Sequence, residues 1–240
     1  MTTRIAMWSG PRNLSTAMMR SFGARGDCAC VDEPFYAHYL LQTGLDHPMR
    51  DVIIESQPAD WRDARDAMLV ATDRPIQYQK HMVQHMLPGM QTDWLADLTN
   101  VFLIRAPERV VASFSAKRGL PSPDELGFRR QRELLEELAR RGPVPVVIDS
   151  ADIRRAPRPA LATLCDAIGI PFTERMLSWQ PGEKPEDGIW GSHWYDAVNN
   201  STGFAGAEGP LPTLDGPLEA LAESLQDDYA AVADHRLRID

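Results

Sequence analysis

The first twenty residues constrain the fold most, because a strand pattern changes there to a helix pattern across one short turn. Residues 4–8 form a short apolar run, residues 9–14 form a polar turn, and Ser15 and Thr16 open a helical pattern. This order places backbone N–H groups and two hydroxyls at a helix N-terminus, where a phosphate or sulfate is stabilised. Arg12 adds a fixed positive charge inside the turn. The segment therefore predicts an anion site of the kind that binds a nucleotide-type donor.

The turn differs from a Walker A loop. That loop requires the pattern G-x-x-x-x-G-K-[ST], which gives a triphosphate a close backbone approach and a lysine contact. The second glycine and the lysine are missing here, and the loop is shorter. The alternative to an anion site is an ordinary strand-to-helix turn with a serine N-cap. The residues predicted to contact the anion are Gly10, Pro11, Arg12, Asn13, Leu14, Ser15 and Thr16.

Composition restricts the class of protein. A chain of 240 residues suits one globular domain, and its net charge of −9 argues against general nucleic-acid binding, which needs a basic surface. No apolar run approaches the roughly twenty residues that span a bilayer, and no secretory leader pattern opens the chain. The three cysteines give no disulfide framework, and no metal-ligand spacing stands out. We therefore expect a cytoplasmic protein without nucleic-acid, membrane or metal partners, and its oligomeric state stays open.

Short apolar runs alternate with helical patterns along the chain, which is typical of parallel βαβ units. Most of these runs are continuously apolar, as strands buried on both faces are. We expect a single domain over residues 1–240 with a three-layer α/β/α architecture and a central, mostly parallel sheet. A weaker pattern near 43–74 predicts a helical insertion, and the Gly-, Pro- and aromatic-rich segment 181–212 predicts a packed lid. The predicted strands are 4–8, 28–32, 76–80, 101–105 and 144–149, and the predicted helices are 15–25, 107–117, 123–141, 157–168 and 217–233.

A second segment predicts another anion contact. Arg105 ends an apolar strand, Pro107 opens a helix, and Ser113 lies on that helix. An arginine at the carboxyl end of a parallel strand points into the crevice where such sheets bind ligands. Its guanidinium and the Ser113 hydroxyl are suited to clamp one phosphate. The alternative is a strand-terminal arginine paired with a carboxylate.

Together the two segments resemble the sulfotransferase family, which uses 3′-phosphoadenosine 5′-phosphosulfate (PAPS). Residues 11–16 occupy the frame that holds the 5′-phosphosulfate in that family, and Arg105, Pro107 and Ser113 match the frame that holds the 3′-phosphate. Residues 146–153 and 157–172 are similar to later parts of the family. The resemblance implies a P-loop-like fold, PAPS as donor co-substrate without a metal, and a small-molecule acceptor.

Two departures from the family pattern concern the donor. Leu14 stands where the family usually has glycine, and the basic stretch that completes the 3′-phosphate site has no counterpart near the C-terminus. His193, or Ser201 with Thr202, is a candidate replacement for that stretch.

Sulfuryl transfer resembles phosphoryl transfer in relying on positioning and electrostatics. Arg12 is the predicted stabiliser of the leaving phosphate, and Lys80 is placed to contact the transferring group. Because a guanidinium stays charged, the acceptor proton must go elsewhere. Glu33 is the first candidate base, since its partly apolar turn would raise its pKa. His81, after the third strand and four residues before His85, is the second.

Aromatic and histidine side chains supply the candidates for acceptor binding. They are Tyr36, His38, Tyr39, Trp190, His193, Trp194 and Tyr195. Two other functions remain open. One is a P-loop kinase or nucleotide hydrolase that uses Mg-ATP, with Asp149 as the metal-binding aspartate. The other is a non-catalytic relative that binds a nucleotide.

Overall fold

The computed structural model describes residues 2–239, and the strands within this range form one five-stranded sheet in which every neighbouring pair is parallel. The strand order is β2-β3-β1-β4-β5. The predicted α/β class with a central parallel sheet is confirmed, and each predicted strand is present with its ends shifted by no more than two residues. The strands are β1 (Thr3–Ser9), β2 (Cys28–Asp32), β3 (Ile76–Met82), β4 (Thr99–Ile104) and β5 (Val146–Asp149).

Helices cover both faces of the sheet. The predicted helix 123–141 is divided at Gly127, which has a φ of 74° and a position where an added Cβ would lie 2.7 Å from the Val83 side chain. The predicted helix 217–233 is divided at Leu225. The helices are α1 (Ser15–Gly23), α2 (Tyr36–Thr43), α3 (Arg50–Ser56), α4 (Trp61–Met68), α5 (Pro107–Arg118), α6 (Pro123–Leu126), α7 (Phe128–Arg141), α8 (Ser150–Arg155), α9 (Pro157–Ala167), α10 (Gly191–Trp194), α11 (Asp196–Asn199), α12 (Gly216–Ser224) and α13 (Gln226–Ala233).

Successive side chains of each strand enter opposite layers of the core. Met7 and Tyr78 pack in the layer of α1 and α9, whereas Trp8 and Phe102 pack in the layer of α7 and α13. Both layers are apolar, which explains why the strands are continuously apolar in sequence. The alternation also decides which polar side chains of β3 reach the same layer.

The functional edge of the sheet lies at the carboxyl ends of the strands. Strand β1 has β3 on one side and β4 on the other, so the chain reverses its winding direction there. Open parallel sheets bind ligands at such a switch point. The turn after β1, the end of β3, Glu33 after β2 and Arg105 after β4 all meet at this edge.

The segment 181–212 is fastened to the body of the protein. Trp190 and Tyr195 are buried, and Arg20 of α1 donates two hydrogen bonds to Asp187 at 2.5 and 2.6 Å and one to Asn199 at 3.0 Å. Within the predicted insertion 43–74 the chain forms α3 and α4. Over residues 2–239, no helix combines the length and hydropathy that a membrane span requires.

Candidate active site

A cavity of about 440 Å³ opens at the carboxyl edge of the sheet. It brings together most of the residues predicted from the two anion segments and the base candidates. The predicted residues that line it are Pro11, Arg12, Asn13, Leu14, Ser15, Thr16, Glu33, Lys80, Arg105 and Ser113. Gly10 and His81 are not among the lining residues. One cavity thus contains Arg12 and Arg105 of the two anion segments, a third arginine, Arg118, and a carboxylate–ammonium pair.

The loop after β1 has the backbone geometry of an anion-binding nest. Arg12 and Leu14 have φ values of 59° and 64°, and Leu14 is the N-cap of α1 without a side-chain hydrogen bond. Within residues 2–239, no backbone N–H from Arg12 to Ala17 donates a hydrogen bond to the protein. Such N–H groups at a helix N-terminus form a concave anion site. Ser15 is the first residue of α1, so the alternative interpretation of Ser15 as the N-cap is wrong.

Two residues hold the loop in this shape without contributing charge. Asn13 is buried and donates from its side-chain amide to the Leu103 carbonyl at 2.6 Å, which fixes the loop to β4. Gly10 lies against α6, where an added Cβ would be 2.6 Å from the Leu126 carbonyl oxygen. Gly10 therefore permits the close approach of the loop to α6 and does not line the cavity.

Arg12 is a partly buried cation that has no carboxylate partner in the described part of the chain. Its Nε donates to the Ser113 hydroxyl at 2.9 Å. Burial, and secondarily the nearby charge of Arg105, lowers the pKa of Arg12. A guanidinium stays protonated at physiological pH. The lowered pKa therefore indicates that the described residues do not compensate the positive charge of Arg12. An anion placed in the loop would compensate it.

Arg105 has two roles at the end of β4. One of its terminal nitrogens donates to the Arg12 carbonyl at 2.6 Å, and the other pairs with the Glu208 carboxylate. Ser113 is bonded to Arg12, and no direct bond joins it to Arg105 among the described residues. Arg105 is thus paired with a carboxylate, as the alternative interpretation predicted. Arg105 and Ser113 nevertheless both line the cavity.

A buried group of three charges lies at the other side of the cavity. The Lys80 ammonium is 2.5 Å from a Glu33 oxygen and 2.9 Å from an Asp32 oxygen, and it donates to the Tyr195 hydroxyl at 2.7 Å. The Tyr195 hydroxyl in turn donates to the second Asp32 oxygen at 2.7 Å. Glu33 follows β2 with a φ of 37°, which belongs to the left-handed region. Two carboxylates therefore share one ammonium in a buried group at the edge of the cavity.

The charge balance of this group favours proton uptake by Glu33. Burial raises the pKa of Glu33, Lys80 opposes that rise, and Asp32 adds to it, with a net upward shift. Burial alone would lower the pKa of Lys80, but the two carboxylates outweigh it and the pKa is raised. The ammonium is therefore retained, and a proton on Glu33 leaves a neutral Lys80–Asp32 pair. Glu33 therefore holds a proton more readily than an exposed glutamate does.

His81 lies outside the cavity, which contradicts its expected place beside Lys80. Its ring stacks on Trp8 with centroids 4.2 Å apart, and Phe35 is on its other side at 5.6 Å. Burial lowers the pKa of His81 to about 3. Strand β3 continues through His81 to Met82, so His81 projects to the opposite face from Lys80. His81 is not a candidate base in this structure.

Aromatic and histidine side chains form part of the cavity wall. His85 stacks on Tyr36 and Tyr39 with centroid distances of 4.8 and 4.6 Å. His47 also lines the cavity, and burial lowers its pKa to about 4. Of the predicted acceptor residues, Tyr36, Tyr39, Trp194 and Tyr195 line the cavity, whereas His38, Trp190 and His193 do not. Of the three candidates to replace the basic stretch, Ser201 lines it and His193 and Thr202 do not.

Asp149 serves the fold at the end of β5. One of its oxygens accepts from the Ala151 backbone at the start of α8, at 2.8 Å, and the other accepts from the Tyr229 hydroxyl at 3.0 Å. It does not line the cavity. Asp149 is therefore not placed to hold a magnesium ion in this cavity, which is the role that the kinase interpretation gave it.

Sequence comparison identifies the family. The sulfotransferase domain family matches residues 3–233. Two Arabidopsis thaliana proteins, named branched-chain-amino-acid aminotransferase-like protein 1 and protein 2, are 37% and 35% identical over 202 residues, or 84% of this chain. That segment is 36% of either relative, so this chain spans about a third of their length.

A structural comparison agrees with the fold. The sulfotransferase domain from the curacin biosynthetic pathway superposes with a TM-score of 0.56 and 16% sequence identity, and the match covers 94% of this chain and 98% of that domain. The family match covers nearly the whole chain, including the loop after β1 and the residues around it. The chain belongs to the sulfotransferase domain family.

Proposed function

We propose that the protein transfers the sulfuryl group of PAPS to a hydroxyl of a small-molecule acceptor. The observation that carries this proposal is the arrangement of one cavity, in which an uncompensated arginine in an N–H-rich loop shares the space with the buried Glu33–Lys80 pair. The loop would bind an anionic donor, and Glu33 would accept the proton of the acceptor hydroxyl. The family supports transferase chemistry, and the donor and acceptor are our proposals.

The two anionic groups of the proposed donor would bind at different parts of the cavity. The 5′-phosphosulfate would take the backbone N–H groups of residues 12–17 and the hydroxyls of Ser15 and Thr16. Arg12 would lie on the oxygen that bridges sulfur and phosphorus, and the 3′-phosphate would be directed to Arg105 and Ser113. Each of these side chains lines the same cavity.

Transfer then needs one bond to form and one to break. The acceptor oxygen attacks sulfur and loses its proton to Glu33. The bond between sulfur and the bridging oxygen breaks, and its electron pair goes to the departing phosphate, which Arg12 stabilises. The products are a sulfate ester and 3′,5′-adenosine bisphosphate. Lys80 keeps Glu33 oriented through its 2.5 Å contact.

The wall of the cavity indicates the acceptor class. Tyr36, Tyr39 and Trp194 present ring surfaces, and His47 with its lowered pKa is neutral at physiological pH. Apolar walls with a few polar groups are typical of small-molecule sites. We propose an acceptor with an apolar or aromatic body and a hydroxyl that reaches Glu33.

The experiment that tests this function is calorimetric titration with 3′,5′-adenosine bisphosphate, in parallel with magnesium–ATP, followed by a transfer assay with PAPS and a panel of hydroxyl acceptors. We expect the bisphosphate to bind and Arg105→Ala to weaken it. A preference for magnesium–ATP would replace the proposal with a kinase. Binding of the bisphosphate without turnover on any acceptor would favour a non-catalytic relative.

A further inference from the structure

Three arginines surround one carboxylate beside the cavity. The Glu208 side chain is 4% exposed, and it pairs with Arg105, Arg109 and Arg154. Arg154 lies 2.7 Å from one Glu208 oxygen, which Arg105 also contacts, and Arg109 lies 2.9 Å from the other. Arg105 ends β4, Arg109 is in the first turn of α5, and Arg154 is in α8. The carboxylate thus joins three elements at the functional edge.

We infer that Arg109 and Arg154 extend the Arg105 contact into a binding site for a phosphate monoester, and that Glu208 occupies this site until the ligand displaces it. The inference rests on the proposed function in one respect, because the 3′-phosphate of the donor is the monoester that would enter. Neither Arg109 nor Arg154 belongs to the motif that the family resemblance supplies.

The charges favour a dianion over the carboxylate. Three guanidinium groups face one carboxylate, and none of the three has another carboxylate partner among residues 2–239, so two positive charges stay uncompensated. A phosphate monoester brings a charge of about −1.5 to −2 at neutral pH. Guanidinium groups bind phosphate oxygens through paired N–H donors. Exchange of Glu208 for a phosphate therefore improves the local charge balance.

The hydrogen-bond geometry leads to the same ligand. The second Glu208 oxygen is buried and accepts no well-directed hydrogen bond from residues 2–239, although the Arg109 Nε lies 2.9 Å away. A planar carboxylate has two oxygens with which to meet three guanidinium groups. A phosphate monoester has three acceptor oxygens in a tetrahedral arrangement. It can direct one oxygen to each arginine.

Glu208 belongs to a segment that can move away without unfolding an element. Residues 204–215, which we name the strap, contain neither helix nor strand. Arg154 donates to the Gly206 carbonyl at 2.9 Å, and Arg109 donates to the Gly209 carbonyl. Phe204 at the start of the strap packs against Trp179, and Leu214 near its end packs against the core of α5 and α12, so the movement concerns the stretch between these two side chains. The cavity is lined by Arg105 and by Ala205 of the strap, whereas Arg109 and Arg154 do not line it. Release of Glu208 would extend the cavity to these two arginines.

The first test uses inorganic phosphate, so that it does not depend on the identity of the donor. Calorimetry should show Glu208→Gln binding phosphate about tenfold more tightly than the wild type, a coupling factor typical of linked sites. Adding Arg154→Gln to that variant should abolish the gain. Glu219→Gln, an exposed carboxylate on α12 with no ion pair to the residues that the structure describes, is the matched control and should bind as the wild type does. Equal phosphate affinity of wild type and Glu208→Gln would overturn the inference.

A second test covers the case in which Glu208→Gln fails to fold, as judged by circular dichroism. Arg154→Gln alone should weaken 3′,5′-adenosine bisphosphate about tenfold and leave adenosine 5′-monophosphate unchanged, since only the first carries the 3′-phosphate. Equal weakening of both nucleotides would indicate a structural role and refute the inference. If the wild type binds neither nucleotide, the proposed donor is wrong, and phosphate binding by Glu208→Gln still decides whether this phosphate site exists.

Discussion

The Lys80 ammonium and the Glu33 carboxylate are 2.5 Å apart in a buried site that they share with Asp32. The group carries one positive and two negative charges, so its most favourable response to a proton is neutralisation of Glu33. Tyr195 reaches this group from the segment 181–212 and bonds both Lys80 and Asp32. The base of the proposed reaction is thus tuned by residues from β2, β3 and a distant segment.

The first prediction concerns the pH dependence of transfer. Glu33 accepts a proton only when ionised, and its pKa is raised, so kcat/KM should fall as the pH drops through that raised pKa. Glu33→Gln should lower kcat by about 10² to 10⁴ and remove the acidic limb of the profile. Glu223→Gln, an exposed change on α12, is the control. A wild-type acidic limb that survives in Glu33→Gln would assign the base to another residue.

The second prediction concerns the stability of the same variant. A carboxyl whose pKa is raised by folding is ionised at a free-energy cost to the folded state once the pH exceeds its unfolded pKa of about 4.3. The wild type should therefore lose stability as the pH rises from there through the raised folded pKa, relative to Glu33→Gln. Denaturant titration at mildly acidic and at neutral pH measures this difference. A wild type that gains stability relative to the variant over that interval would show that Lys80 overcompensates burial.

The third prediction separates the roles of Arg12 and Arg105. Arg12→Ala should abolish transfer, because it removes the charge that stabilises the leaving phosphate, whereas Arg105→Ala should chiefly raise the Kd of the spent donor. Presteady-state transfer and calorimetry distinguish the two effects. Arg129→Ala, which changes an exposed arginine of α7 that forms no ion pair within residues 2–239, serves as the control. Substantial turnover by Arg12→Ala would remove that residue from the mechanism.

The sequence predicted those parts of the site whose position follows from the neighbouring residues in the chain. The strand-to-helix turn at residues 9–15 is recognisable because its strand, loop and helix are contiguous. Arg105 is recognisable because it ends an apolar strand. By contrast, Glu208 pairs with Arg105 across 103 residues and lies in a segment without periodicity. His47 likewise reaches the cavity from the connection between α2 and α3. Nothing in the neighbouring residues marks either one.

The error over His81 has a simple geometric cause. The sequence pattern predicted that β3 ends at Lys80 and that His81 lies in the following turn, with its ring beside Lys80 in the site. The strand continues for two more residues to Met82. Side-chain alternation within the strand therefore directs Lys80 to the cavity and His81 to Trp8. An error of two residues at a strand end was enough to assign a buried stacking residue to the chemistry.

The fourth prediction tests the close contact of the loop with α6. Gly10→Ala would place a Cβ 2.6 Å from the Leu126 carbonyl oxygen, so the loop or α6 must shift. We expect a loss of about 1–3 kcal/mol in unfolding free energy and weaker binding of the spent donor. Gly142→Ala is the matched control, because no atom lies within 4 Å of its added Cβ. Identical stability of the two alanine variants would contradict the close contact.

The last prediction gives Tyr195 a positioning role. Tyr195→Phe removes a buried hydroxyl that joins Lys80 and Asp32. Among the described residues, the Gly188 backbone N–H is then the one donor left to that Asp32 oxygen. The expected destabilisation is about 1–3 kcal/mol. Lys80 should then be drawn further toward Asp32, which weakens its contact with Glu33 and moves the acidic limb of kcat/KM to higher pH.

Tyr229→Phe separates that positioning effect from simple destabilisation. Its hydroxyl also bonds a buried carboxylate, Asp149, but away from the cavity. The two phenylalanine variants should therefore lose similar stability, measured by denaturant titration, while only Tyr195→Phe shifts the pH profile. A shift of equal size in both variants would mean that loss of stability alone moves the profile, and Tyr195 would then be a structural residue. An unshifted profile in Tyr195→Phe would mean that Asp32 alone fixes Lys80 against Glu33.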